Sequence, residues 1–134
     1  MTATEDIIET LSFFDSWEDR YRYMIDLGKS LPQIPEELHT DDRLVPGCQS
    51  QVWIESKFEN GQFEFFVDSD AHIVRGLLAI VMAAYNHKSP HEILDFDIQS
   101  YFSALDLVKH LSPTRGSGLQ AMVVKIKQLA SAKL

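Results

Sequence analysis

The stretch AHIVRGLLAIVMAAY, residues 71–85, constrains the fold most, because it is apolar on nearly every side. The polar residues NHKS follow after one helix length, and no stretch of the chain approaches the roughly 20 apolar residues that a membrane span needs. The pattern therefore predicts a helix at the centre of a core, buried all round. Gly76 within it costs about 1 kcal/mol relative to alanine, unless another element must approach closely at that point.

A β-hairpin is the second local signal. Apolar and polar side chains alternate in QVWIESKF, residues 51–58, with the period of two that a half-buried strand shows. Asn60 and Gly61 follow, and because both tolerate positive φ angles, QFEFFV at 62–67 is predicted as the return strand. Two strands alone are marginal, so we expect a third short strand at residues 43–45. The predicted fold class is α+β, with a small antiparallel sheet of about three strands packed with several helices.

Capping signals divide the remaining sequence into helices. Ser and Thr side chains precede three of these stretches, which is typical of helix N-caps, and glycine is typical of a C-cap. Ser89-Pro90 adds a proline at the first helical position. The predicted helices begin after Thr2, after Ser16 with Gly28 as the C-cap, after Ser89, near Ile98 with an end at Leu111, and near Ser117.

Length and composition exclude several classes of function. With 134 residues, 45% of them apolar, the chain is expected to form one domain over residues 1–134. A net charge of −8 repels phosphate backbones and anionic membrane surfaces, so neither nucleic acid nor membrane is expected as a partner. The acidic N-terminus is unlike a secretory signal, and one cysteine cannot form an internal disulfide, so we expect a cytoplasmic location.

The single cysteine, Cys48, lies in RLVPGCQSQVW, after a Pro-Gly turn and before the predicted strand. The irregular segment 30–47 precedes it with three prolines, and connections of that length are often functional. A lone cysteine is commonly a small buried hydrophobe. A reactive one acts as the thiolate, which an ordinary thiol of pKa about 8.5 populates only slightly near neutral pH. The polar loop context favours reactivity, but the residues alone leave both possibilities open.

Other constellations give weaker signals. Thr114-Arg-Gly-Ser-Gly118 combines an arginine with a helix N-terminus and could cradle an anion, although capping chemistry also explains these residues. His87 and His91 have helical spacing, but Pro90 places a helix start between them, which argues against a metal site. Hydrolase elbows and nucleotide-binding loops are missing from the sequence. We therefore expect no cofactor: neither zinc, nor an Fe–S cluster, nor pyridoxal phosphate.

Three motifs in this order resemble the SufE family of sulfur acceptors in iron–sulfur cluster assembly. They are GCQSQVWI at 47–54, DSDAHIVRGLLAIV at 68–81 and HLSPTRGSGLQAM at 110–122, and WEDRYRYMIDLGKSLP at 17–32 resembles the family's N-terminal helix. The resemblance implies a small α+β domain of the type shared with IscU-like scaffolds. It also implies that Cys48 accepts persulfide sulfur from a pyridoxal-phosphate cysteine desulfurase, with Gly47, Gln49 and Arg115 in supporting or partner-binding roles.

The implied partners are a SufS- or CsdA-like desulfurase and a downstream scaffold such as a SufBCD-type complex. The residues after Cys48 are more similar to SufE proper than to the related CsdE proteins. On this hypothesis the protein is a carrier and a desulfurase activator rather than an enzyme. Two alternatives remain: an autonomous thiol enzyme, such as a reductase or rhodanese-like sulfurtransferase, and a non-catalytic scaffold or interaction module. A single cysteine argues against a cluster scaffold, because clusters are usually held by several thiolates.

Overall fold

The computed structural model describes residues 2–48 and 50–134, with Val108 described through its backbone alone. Helices stand on both sides of a β-hairpin in the sequence, so the α+β fold class is confirmed. The described part of the chain has no helix long and apolar enough to cross a membrane. The elements are α1 Ala3–Ser12, α2 Trp17–Lys29, 3-10 turns Glu36–Leu38 and Asp41–Arg43, β1 Val52–Glu59, β2 Gln62–Ser69, α3 His72–Tyr85, α4 Pro90–Asp95, α5 Ile98–Ala104, α6 Leu107–His110 and α7 Pro113–Ser131.

The predicted hairpin is confirmed. Strands β1 and β2 pair antiparallel, from Val52 opposite Ser69 to Glu59 opposite Gln62. Asn60 and Gly61 form the turn with φ angles of 54° and 77°, the left-handed values that a tight hairpin turn requires. Alternate side chains of the sheet enter the core against α3: Val52, Ile54, Phe63, Phe65 and Val67.

The third strand expected at residues 43–45 is wrong. Within the described residues the sheet has two strands, and only an isolated antiparallel bridge joins Leu44 to Trp53. A 3-10 turn ends immediately before Leu44, and another turn begins at Pro46, which has no N–H to donate to a ladder. Too few extended residues remain between the two turns for a strand.

Helix α3 is the predicted central buried helix, and it packs against β2 and α2. Its Gly76 lies so close to α2 that an added Cβ would overlap the carbonyl oxygen of Met24. Gly28 faces the same contact, because a Cβ there would lie 2.7 Å from the backbone nitrogen of Gly76. The close approach inferred for Gly76 is therefore confirmed. The prediction of Gly28 as a C-cap is wrong, since α2 continues through Lys29 and Ser30 caps it.

Two helix boundaries in the C-terminal part differ from the predictions. The helix expected at 98–111 is divided into α5 and α6, because Asp106 adopts the left-handed conformation at φ 57°. Helix α7 begins at Pro113 rather than near Ser117, with Ser112 as its N-cap. The Ser112-Pro113 pair starts the helix earlier, and the glycines expected in a turn lie inside it.

The segment between α2 and β1 is irregular apart from its two 3-10 turns. It is attached to the body by the buried Ile34 and by polar side-chain contacts to both strands. His39 Nε2 lies 2.9 Å from Asp68 Oδ2 on β2, and Arg43 pairs with Glu55 on β1. These contacts hold the segment against the body up to Pro46, where the loop that carries Cys48 begins.

Candidate functional site

Cys48 lies on a turn that packs against the first part of α7. The side chain is half-buried, and its Sγ donates a hydrogen bond to the carbonyl oxygen of Gly118 at 3.6 Å. Gly47 before it has a φ of 87°, which favours glycine, and a Cβ added there would lie 3.4 Å from the Cβ of Ala121. A Cβ added to Gly118 would lie 3.5 Å from the sulfur. The loop therefore rests on the helix, and what requires glycine there is the left-handed backbone of Gly47.

Hydrogen bonds hold the two ends of the loop 46–51, and we call this hydrogen-bonded region the stem. The Val45 N–H donates to the Val52 carbonyl oxygen at 2.8 Å. On the return side, Gln51 N–H donates to Asp70 Oδ1 at 3.1 Å, and Asp70 N–H donates to the Gln51 carbonyl oxygen at 3.3 Å. The stem ties both ends of the loop to the body while the thiol lies between them.

A cavity of about 350 Å³ opens beside the sulfur. Its walls come from the cysteine loop, the start of β1, α3 and the N-terminal half of α7, so four separate segments of the sequence meet there. Apolar groups form its floor and hydroxyl groups and an arginine lie around it. The lining residues are Cys48, Ser50, Val52, Val74, Leu77, Ser112, Thr114, Arg115, Gly118, Leu119 and Met122.

Burial raises the pKa of the Cys48 thiol above its ordinary value, because the charged thiolate is poorly solvated against α7. In this position the sulfur is therefore held as a neutral thiol. To act as a nucleophile it needs to become more exposed to water or to meet a positive charge from a partner.

Arg115 lines the same cavity but contacts a different element. Its Nη1 donates to the hydroxyl oxygen of Tyr21 on α2 at 3.2 Å, and its own backbone N–H donates to Ser112 Oγ at the N-cap. The arginine is exposed. It thus joins α2 to α7 at the rim of the cavity, instead of forming a charge pair with the sulfur in the position shown.

Three of the four predicted site residues meet at one place. Gly47 shapes the turn, Cys48 borders the cavity and Arg115 lies on its rim, whereas Gln49 is outside the described residues. Sequence reasoning missed Tyr21 on α2. It is 94 residues from Arg115 in the chain, and no local pattern could have paired the two.

The structure gives no support to the other candidate sites, which are the anion cradle at residues 114–118 and a metal site. Residues 114–118 form the first turns of α7, where Ser112 already caps a backbone N–H. Among residues 2–48 and 50–134 there is no group of three or more His, Cys, Asp and Glu side chains placed to hold a metal ion.

Comparison with known proteins identifies the family. The family model SufE, described as an Fe–S metabolism associated domain, matches residues 5–130. The chain belongs to the SufE family. An uncharacterized SufE-like protein of Rhizobium meliloti is 44% identical over 138 residues, which cover 100% of this chain and 99% of that protein. One of Rhizobium etli is 46% identical over 137 residues, which cover 99% of this chain and 93% of the relative.

The fold is also found in a solved structure. The solution structure of a hypothetical protein from Thermus thermophilus is similar with a TM-score of 0.78, covering 98% of this chain and 97% of that one at 16% identity. This similarity supports the SufE-type α+β fold alone. Membership of the SufE family, in turn, links the chain to Fe–S metabolism.

Proposed function

We propose that this SufE-family chain is a sulfur acceptor that takes persulfide sulfur from a cysteine desulfurase onto Cys48 and stimulates that desulfurase. The observation that carries the proposal is the position of the thiol. Cys48 stands at the apex of a tied loop, against a cavity of about 350 Å³, with no second cysteine in the chain to compete for the sulfur.

The transfer step balances without any oxidant or reductant. The Cys48 thiolate attacks the terminal sulfur of the persulfide on the desulfurase, a new S–S bond forms on Cys48, and the S–S bond on the desulfurase breaks. The desulfurase cysteine leaves as a thiolate and takes up the proton that Cys48 lost. The protein therefore carries sulfur but does not turn over alone.

The raised pKa of Cys48 limits the position of the loop in which this step can occur. Against α7 the thiol is neutral and a poor nucleophile, so sulfur acceptance needs the loop to move away from the Gly118 carbonyl oxygen. Docking of the desulfurase supplies that movement. Once the sulfur is loaded, return of the loop places it beside the cavity, where the apolar floor shields it from reductants before transfer to an Fe–S scaffold such as a SufBCD-type complex.

The test compares wild type with Cys48→Ser in the presence of a SufS-type desulfurase, cysteine and a thiol reductant. Serine barely changes the volume, but its hydroxyl is almost never ionised near neutral pH. Wild type is expected to raise the rate of sulfide release by about tenfold or more, and Cys48→Ser is expected to lose that stimulation while still competing with wild type for the desulfurase. Full stimulation by Cys48→Ser would show that the cysteine is incidental. Sulfide release by wild type without the desulfurase would instead favour an autonomous thiol enzyme.

A further inference from the structure

Charge is divided unevenly along this acidic chain. The last of its 20 acidic residues is Asp106, whereas five of its 12 lysines and arginines follow that position. Helix α7 therefore bears positive charge without any carboxylate of its own. The five cations after Asp106 are Lys109, Arg115, Lys125, Lys127 and Lys133, and the middle three of them lie on α7.

Two of these cations lie on the same face of α7 as the residues that contact the cysteine loop. Arg115, Gly118, Ala121 and Lys125 are separated by three, three and four residues, the spacing that aligns side chains along one side of a helix. Gly118 contacts Cys48, and Ala121 lies against Gly47. Along the axis of α7 the loop therefore rests between the two cations, with Arg115 N-terminal to Gly118 and Lys125 C-terminal to Ala121.

Neither cation is neutralised within the described part of the protein. The salt bridges found there join other pairs, and Arg115 bonds to the neutral hydroxyl of Tyr21. Lys127, two residues beyond Lys125, points about 200° away around the helix. It faces Asp97, whose carboxyl pKa is lowered by hydrogen bonds from Ser100 and, to a smaller extent, by Lys127.

We infer that the Arg115–Lys125 face of α7 is a docking surface for an acidic patch on the desulfurase, with Lys125 as a partner-binding residue. The inference rests on the proposed function and specifies the chemistry of the partner. Because this face carries positive charge in a chain whose net charge is −8, it attracts an acidic partner and orients it over Cys48. Nucleic acid fits less well, since the net charge of −8 repels an extended phosphate backbone.

The test measures the dissociation constant of the full chain for a SufS-type cysteine desulfurase by isothermal titration calorimetry. The variants are Lys125→Glu and its control Lys127→Glu, which makes the same change of charge on the same helix but on another face. At about 50 mM salt we expect Lys125→Glu to bind about tenfold more weakly and Lys127→Glu to stay within about twofold of wild type. At about 1 M salt, where the Debye length falls to about 3 Å, the difference should nearly disappear. Lys125→Arg should bind like wild type.

The outcomes separate this inference from the proposed function. If wild type accepts sulfur and Lys125→Glu binds as tightly as wild type, the docking surface is wrong while the carrier function stands. Equal weakening by Lys125→Glu and Lys127→Glu would also overturn it, because net charge alone would then explain the loss. If wild type neither binds the desulfurase nor accepts sulfur, the proposed function fails and the inference falls with it. Thermal unfolding of each variant checks that the fold is intact.

Discussion

The contact between α2 and α3 and the contact between the cysteine loop and α7 both include glycines, but they differ in how closely the two sides approach. At Gly28 and Gly76 two helix backbones touch with no space for a Cβ on either side. At Gly47 and Gly118 an added Cβ would lie at ordinary van der Waals distance from the opposite element, and one long hydrogen bond joins the sulfur to a carbonyl oxygen. The first contact leaves no space for any side chain, whereas the second is formed by a half-buried thiol and a left-handed glycine that rest on α7.

This difference matches the chemistry proposed for Cys48. The close helix contact fixes α3, which supplies one wall of the cavity and, through Asp70 just before it, one side of the loop stem. Hydrogen bonds hold the two ends of the loop, and on the proposed function the thiol leaves α7 when the desulfurase docks, while the cavity walls from α3 and α7 stay in place. A sulfur carrier needs both a movable thiol and a stable cavity wall, because the thiol has to reach a partner and then return to a protected position.

The largest effect is expected from Gly76→Ala. The new methyl group overlaps the carbonyl oxygen of Met24, so α2 and α3 have to move apart, and we expect the free energy of unfolding to fall by about 3 kcal/mol or more. Urea denaturation monitored by circular dichroism measures it. Gly116→Ala is the control, since a Cβ there meets nothing within 4 Å and should raise stability by about 0.5–1 kcal/mol. Similar small changes in both variants would contradict the close contact.

A smaller effect is expected from Gly47→Ala, which forces a side chain into a left-handed conformation at a cost of about 1–2 kcal/mol. Because the strain falls on the closed loop, it favours the open form, and Cys48 should react with iodoacetamide several-fold faster. The control Gly61→Ala carries the same kind of strain, at φ 77°, in the hairpin turn. It should lower global stability while leaving the rate of Cys48 alkylation unchanged. Equal acceleration in both variants would show that the loop does not open independently.

The smallest effect concerns the pH dependence of Cys48 alkylation. Because burial raises the pKa of the native thiol, the native rate should reach half its maximum at a higher pH than in urea, where an ordinary thiol titrates near about 8.5. The protonated thiol favours the folded state below the unfolded pKa, and this contribution is lost as the pH rises through the folded pKa. A native profile shifted to lower pH would instead indicate a cation beside the resting sulfur.

Local signals carried most of the predictable structure. Asn60-Gly61 specified the hairpin turn, the apolar run specified α3, and Ser16 and Ser89 cap the helices they were expected to cap. Gly28 was misassigned because its role depends on a second helix that sequence periodicity does not reveal. The early start of α7 was missed because the glycines after Arg115 are equally at home in a turn.

The candidate site was predictable only in part. Gly47 and Cys48 stand together in the chain, and both the pattern at residues 114–118 and the family resemblance pointed to Arg115. The cavity between them, however, also needs α3, and its apolar lining comes from distant positions such as Val74 and Leu77. Likewise, the alignment of Lys125 with the loop depends on which face of α7 the loop contacts, which only the fold determines.

The central claim is that Cys48 carries the sulfur, and mapping the transferred atom tests it most directly. Wild-type protein is incubated with a SufS-type desulfurase and cysteine, desalted without reductant, digested and analysed by tandem mass spectrometry. The account predicts at least one additional sulfur atom on the peptide containing Cys48, removed by a thiol reductant and absent when the desulfurase is omitted. A Cys48 peptide that gains no sulfur, under conditions in which the desulfurase itself is loaded with persulfide, would contradict it.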